Sequence, residues 1–121
     1  MEMTKEECQD YNKLTPEEKQ EFEYQSKKHP DWTFKQVMAK IVFDRKVDGT
    51  IGRGGNDVDA EDPDTWIIIL KGARQALKKF KSIGNAIFVA IDTAIISLKT
   101  LIKQGVRRIG DIINNLKNKL F

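Results

Sequence analysis

"AIFVAI", residues 86–91, is apolar on every side of a helix, and how the chain covers it decides the fold. An apolar pattern of helical spacing runs through it, from Trp66 and Leu77 through Ile87, Ile91 and Leu98 to Ile109 and Leu120. Gly84 and Gly105 punctuate that run. Two architectures fit: one long helix, or three helices broken near those glycines. A helix that is apolar all round needs cover on more than one side. The pattern therefore predicts a bundle with 85–104 as its central helix, or a long helix buried in an oligomer. Nothing in the chain reads as a strand except the short Trp66–Leu70 run.

Upstream, two helix starts are written into the sequence. Thr15-Pro16-Glu17-Glu18 offers a cap, a proline at the first helical position and the acid of a capping box. That helix ends by His29, because Pro30 disfavours a helical residue before it. Thr33 with Gln36 gives the second box, and Trp32 and Val37 occupy the two positions of a hydrophobic staple. Phe34, Val37, Met38, Ile41 and Val42 form one apolar face, predicting a helix through about Arg45. Together they make a helical hairpin. A third start, Asp62-Pro63-Asp64, opens the apolar run. Residues 1–13 have no usable periodicity and read as a flexible lead-in.

The chain of 121 residues thus reads as one all-α domain, a small helical bundle. Its parts are an acidic N-terminal segment with the hairpin (1–46), an acidic Gly-rich connector (47–63) and a basic amphipathic helical region (64–121). Charge divides the same way. Residues 1–70 carry ten Lys/Arg against sixteen Asp/Glu, net −6, and residues 71–121 carry eleven against two, net +9. Such asymmetry points the basic half toward an anionic partner or toward its own acidic half. Cys8 is the only cysteine, so no internal disulfide forms, which favours a reducing compartment. The polar stretch at residues 1–13 does not read as a classical secretory signal, and none is expected. A cytoplasmic site, or a place within an assembled particle such as a virion, is the expectation.

The stretch "DRKVDGTIGRGGNDVDAED", residues 44–62, invites a calcium reading through Asp44, Asp48, Asp57 and Asp59. As an EF-hand loop it places Lys46 at position 3 and Gly55 at position 12, where an acid belongs. As a calcium-binding β-roll turn it is a single copy of a unit that works only when stacked. A phosphate cradle fails too, for want of the Gly-Lys-Ser/Thr ending and because its carboxylates repel phosphate. A solvated connector is the better reading.

Catalysis finds no support: His29 and Cys8 stand alone of their kinds and the paired acids fall on an exposed helix face. No cofactor, metal or small-molecule substrate is expected. Ile87, Ile91, Ile95, Leu98, Ile102 and Leu116 are the candidate core or interface residues. Lys78, Lys79, Lys81, Arg107 and Arg108 are the candidate electrostatic contacts. The leading expectation is a non-enzymatic structural or adaptor protein that binds a protein partner or its own copies. A peripheral or pore-forming membrane protein using the same cationic helices is the alternative. A span is disfavoured by Asp92 and Lys99. Non-specific nucleic-acid binding ranks third, since no helix presents a recognition face.

Overall fold

The computed structural model describes residues 1–52, 63–106 and 108–121, and among them six α-helices and no strand. They are α1 (Lys5–Asn12), α2 (Pro16–Lys28), α3 (Phe34–Ile51), α4 (Pro63–Leu77), α5 (Asn85–Gln104) and α6 (Gly110–Leu120). The Trp66–Leu70 run is helical, inside α4. Of the two architectures open for the C-terminal half, three separate helices are found. Gly105 supplies the break after α5 in the left-handed region, at φ 72°. Its N–H donates to the Ile102 carbonyl and the Val106 N–H to that of Leu101, which satisfies two otherwise orphaned acceptors at the helix end. Gly84, at φ 74°, turns the chain into α5.

Both expected capping boxes are formed. Thr15 caps α2 with Glu18 reaching back, and Thr33 caps α3 with Gln36. Asp62, the expected cap of α4, lies outside the described residues.

Residues 1–13 correct the first expectation. Instead of a flexible lead-in, Thr4 opens α1 with a third capping box: its hydroxyl accepts from the Glu7 N–H at 3.1 Å, and the Glu7 carboxylate accepts from the Thr4 N–H at 2.9 Å. The helix is anchored by burial of a charge. Asp10 is fully buried, and its carboxylate accepts hydrogen bonds from the backbone N–H groups of Lys81 (3.1 Å) and Ser82 (2.8 Å) and from the Ser82 hydroxyl. The Lys13 ammonium, 3.3 Å from Asp10, also donates to the Lys79 carbonyl at 3.0 Å. Tyr11 adds an edge-on contact with Phe22 at 5.2 Å. An acid near the N-terminus thus ties α1 to the turn between α4 and α5.

The second correction concerns α3, expected to end near Arg45. It runs to Ile51 because nothing breaks it before Gly52, at φ 85°, and because Val47, 3% exposed, continues the buried surface by a turn. The first residues of the expected connector are therefore helix.

The third correction concerns the centre of the bundle. Helix α3 occupies it, buried through Phe34, Val37, Met38, Ala39, Ile41, Val42, Phe43 and Val47, and packing on α2, α4 and α6. Ala39 and Phe43 fall outside the single apolar face read from the sequence, so burial is nearly all round. Helix α5, expected at the centre, packs on α4 and α6 and buries one face only: Ile87, Ile91, Ala94, Ile95 and Leu98. The rest of the core includes Phe22 of α2, Trp66, Ile69, Leu70 and Leu77 of α4, Ile83 from the turn, and Ile109, Ile113, Leu116 and Leu120.

Candidate functional site

Of the candidate interface residues, Ile87, Ile91, Ile95, Leu98 and Leu116 are consumed by the core, while Ile102 is 40% exposed. The apolar surface that α5 offers outward is a different set. Ala86, Val89, Thr93, Ile96 and Thr100 follow one another at helical spacing and are all exposed, Val89 at 61% and Ile96 at 64%. Residues three and four apart lie on one side of a helix, so this is a continuous stripe.

Its two threonines contribute methyl groups more than polarity. The Thr93 hydroxyl donates to the Val89 carbonyl at 2.8 Å and the Thr100 hydroxyl to the Ile96 carbonyl at 3.0 Å, which closes both groups onto the helix's own backbone. Ile68 of α4 and Val106 beyond α5 are exposed as well. Isolated exposed apolar residues need no explanation, but contiguous patches mark surfaces that meet something.

Charge around the stripe is predominantly positive, with Asp111 of α6 the exposed exception. Asp92, the only acid in α5, is held by Arg74 of α4 in a two-pronged pair at 2.6 and 3.1 Å, and that guanidinium also lies 5.3 Å from the Phe88 ring centre. Hydrogen bonding to Asp92 holds the Arg74 pKa above its ordinary value. Lys99, Lys103 and Arg108 remain exposed at the C-terminal end of the stripe.

The candidate electrostatic residues do not form one patch. Lys78, Lys79 and Lys81 are exposed on the turn before α5, while Arg108 follows its far end; Arg107 lies outside the described residues. A helix of 20 residues separates the groups, about 30 Å at about 1.5 Å per residue.

The EF-hand geometry that Lys46 and Gly55 already disfavoured is not adopted by the first part of the stretch. Asp44 to Ile51, positions 1 to 8 of the supposed loop, are continuous helix. Asp44 pairs with Lys40 at 3.2 Å. Burial raises its pKa, as do Asp48 and Glu21, with Lys40 opposing. Asp57 and Asp59 lie outside the described residues. Among the described residues no group of three or more His, Cys, Asp or Glu is arranged to hold a metal ion.

An open cleft of about 880 Å³ does lie between α2, α3 and α6, lined by Glu17, Glu21, Lys40, Asp44, Asp48 and Lys117 among others. Half of its charged side chains are paired within the fold, Lys40 to Asp44 and Arg45 to Glu18 (3.7 Å). Cys8 is exposed on α1, and His29 stacks on Trp32 at 3.6 Å. Neither has a partner for nucleophilic chemistry among these contacts. Asp10 is the residue that sequence reasoning missed: its partners lie 71 and 72 positions away, with no local signal. No protein-family model, curated protein or solved structure matches the chain, so the functional reading rests on the surface itself.

Proposed function

We propose that this chain is a non-enzymatic association protein, structural or adaptor in kind, whose contact surface is the outer face of α5 with its basic margin. The observation that carries the reading is the exposed stripe from Ala86 to Thr100, apolar in its side chains and with its two hydroxyls already satisfied. Leaving Val89 and Ile96 about two-thirds exposed forgoes roughly 1–2 kcal/mol of burial each, which a partner would recover. The exposed Lys99, Lys103 and Arg108 beside it would steer an anionic or acidic partner.

Nucleic-acid binding is the weaker reading, because the two basic groups sit at opposite ends of α5 and form no single track. The test compares the native chain with Val89→Glu/Ile96→Glu. Both positions are exposed, so the double variant should keep the native circular dichroism and melting behaviour. Association, measured by sedimentation over a range of protein concentrations and by co-flotation with vesicles, should be lost. Unchanged association in both assays would refute the assignment of this face.

A further inference from the structure

Resting on that reading, we infer that the occupant of the outer α5 face is the surface of an anionic lipid bilayer, on which α5 lies lengthwise with its stripe among the acyl chains. Three observations favour lipid over other occupants. The first is charge. The exposed ionic groups beside the stripe are mostly cationic: Lys99, Lys103, Arg108 and Lys119 against Asp111 alone, with Asp92 paired to Arg74. A second copy packed through the same face would bring the same lysines and the same positive helix N-terminus against it, with few acids to answer them. A surface of anionic headgroups answers all of them at once.

The second is the chemistry of the stripe. Protein-binding hot spots are rich in Trp, Tyr and Arg and poor in Lys. Here the exposed positions are Ala, Val, Ile and Thr, with lysines at the edge. Long lysine stems can reach back to headgroups while the aliphatic side chains enter the boundary region. The third is the state of the backbone and hydroxyls. In an apolar medium every polar group must be satisfied internally, and Thr93 and Thr100 are so satisfied before any partner arrives.

Helix α5 is also long and apolar enough to cross a membrane, with a mean hydropathy of 1.6 over its most apolar window, of which 28% is buried. Its inner face is nevertheless committed to the bundle through Ile91 and Leu98, both at most 1% exposed. The geometry therefore points to a helix lying on the surface. From Val89 to Thr100 the stripe measures about 17 Å at about 1.5 Å per residue.

The experiment is flotation of the full chain with phosphatidylcholine vesicles and with phosphatidylcholine–phosphatidylglycerol vesicles, at low and high salt. Sedimentation of the same samples without lipid runs alongside. The native chain should float with the anionic vesicles only. Lys99→Gln/Lys103→Gln should weaken partitioning by about 25-fold at low salt, about fivefold per lysine. Val89→Glu/Ile96→Glu should weaken it by about a hundredfold or more at either salt.

Equal flotation of the native chain and Val89→Glu/Ile96→Glu would show a merely basic surface and overturn the inference. No flotation, with oligomers in plain buffer that Val89→Glu/Ile96→Glu abolishes, would overturn lipid as the occupant and leave the association reading standing. No flotation and no association would end both.

Discussion

Replacing Asp10 by alanine should be among the most damaging single changes in this protein. The side chain is 1% exposed and accepts from two backbone N–H groups and one hydroxyl on the turn before α5. Hydrogen bonds to a charged group contribute about 1.5–3 kcal/mol each, but they share one acceptor and are not additive. Lys81 is exposed and Ser82 half-buried, so water can reach part of the vacated donors. The expected loss is therefore about 3 kcal/mol, below the simple sum. For a domain of this size that corresponds to a melting point lower by about 12 °C.

Asp10→Asn tests the mechanism, since its amide must turn a donor toward one of the donors it faces. It should recover at most about half of the loss. The assay is urea and thermal unfolding followed by circular dichroism, with hydrogen exchange at Ser82. An Asp10→Ala variant within about 0.5 kcal/mol of the parent, in the range of ordinary surface changes, would refute the reasoning.

The same site sets a pH dependence. Burial pushes the Asp10 carboxyl up, but the hydrogen bonds from Ser82, Lys81 and Lys13 outweigh it and hold the pKa below its ordinary 3.8. With the folded value below the unfolded one, the stabilisation is complete above about pH 4 and is lost as pH falls through the lowered value. The gap between parent and Asp10→Ala should then shrink in strong acid.

Three further outcomes are expected. Thr4→Ala removes the α1 cap and should cost about 1 kcal/mol, seen first as faster hydrogen exchange within α1; unchanged exchange there would remove the cap from the account of α1. Gly105→Ala forces a side chain into the left-handed region and should cost about 1 kcal/mol in urea unfolding, although nothing lies within 4 Å of the new Cβ. Burial and Lys40 push the Lys117 ammonium below its usual pKa of 10.5, with Asp44 opposing. The charged form is thus penalised in the fold, so Lys117→Met should be at least as stable as the parent at neutral pH. That advantage should narrow as pH rises toward 10.5, where the parent's penalty disappears; a widening gap would reverse the sign argument.

What could be read in advance was local. Thr15 with Glu18, Thr33 with Gln36, and the glycines at 84 and 105 carry their meaning within a few residues, and each does in the fold what its chemistry dictates. Thr4 with Glu7 has the same pattern, yet α1 lacks an apolar stripe and periodicity is silent there. Its docking depends on Asp10 and on partners far along the chain. The centre of the bundle was misplaced for a related reason. Hydropathy shows which sides of a helix prefer cover, but not which of them a neighbour reaches. Ala39, Phe43 and Val47 receive that cover on α3, whereas Val89 and Ile96 on α5 do not. The candidate surface was therefore visible as an excess of apolar residues on α5, and its particular members were not.

The tie between Asp10 and the turn at Lys81–Ser82 also orders events during synthesis. The carboxylate leaves the ribosome ahead of its donors by 71 residues, about 4–14 s at about 5–20 residues per second. Through that interval α1 has its own cap and the Tyr11–Phe22 contact with α2, but a charge destined for the interior stays hydrated. Helix α1 is thus made well before the donors that fasten its acid, and it closes over the very turn that leads into α5.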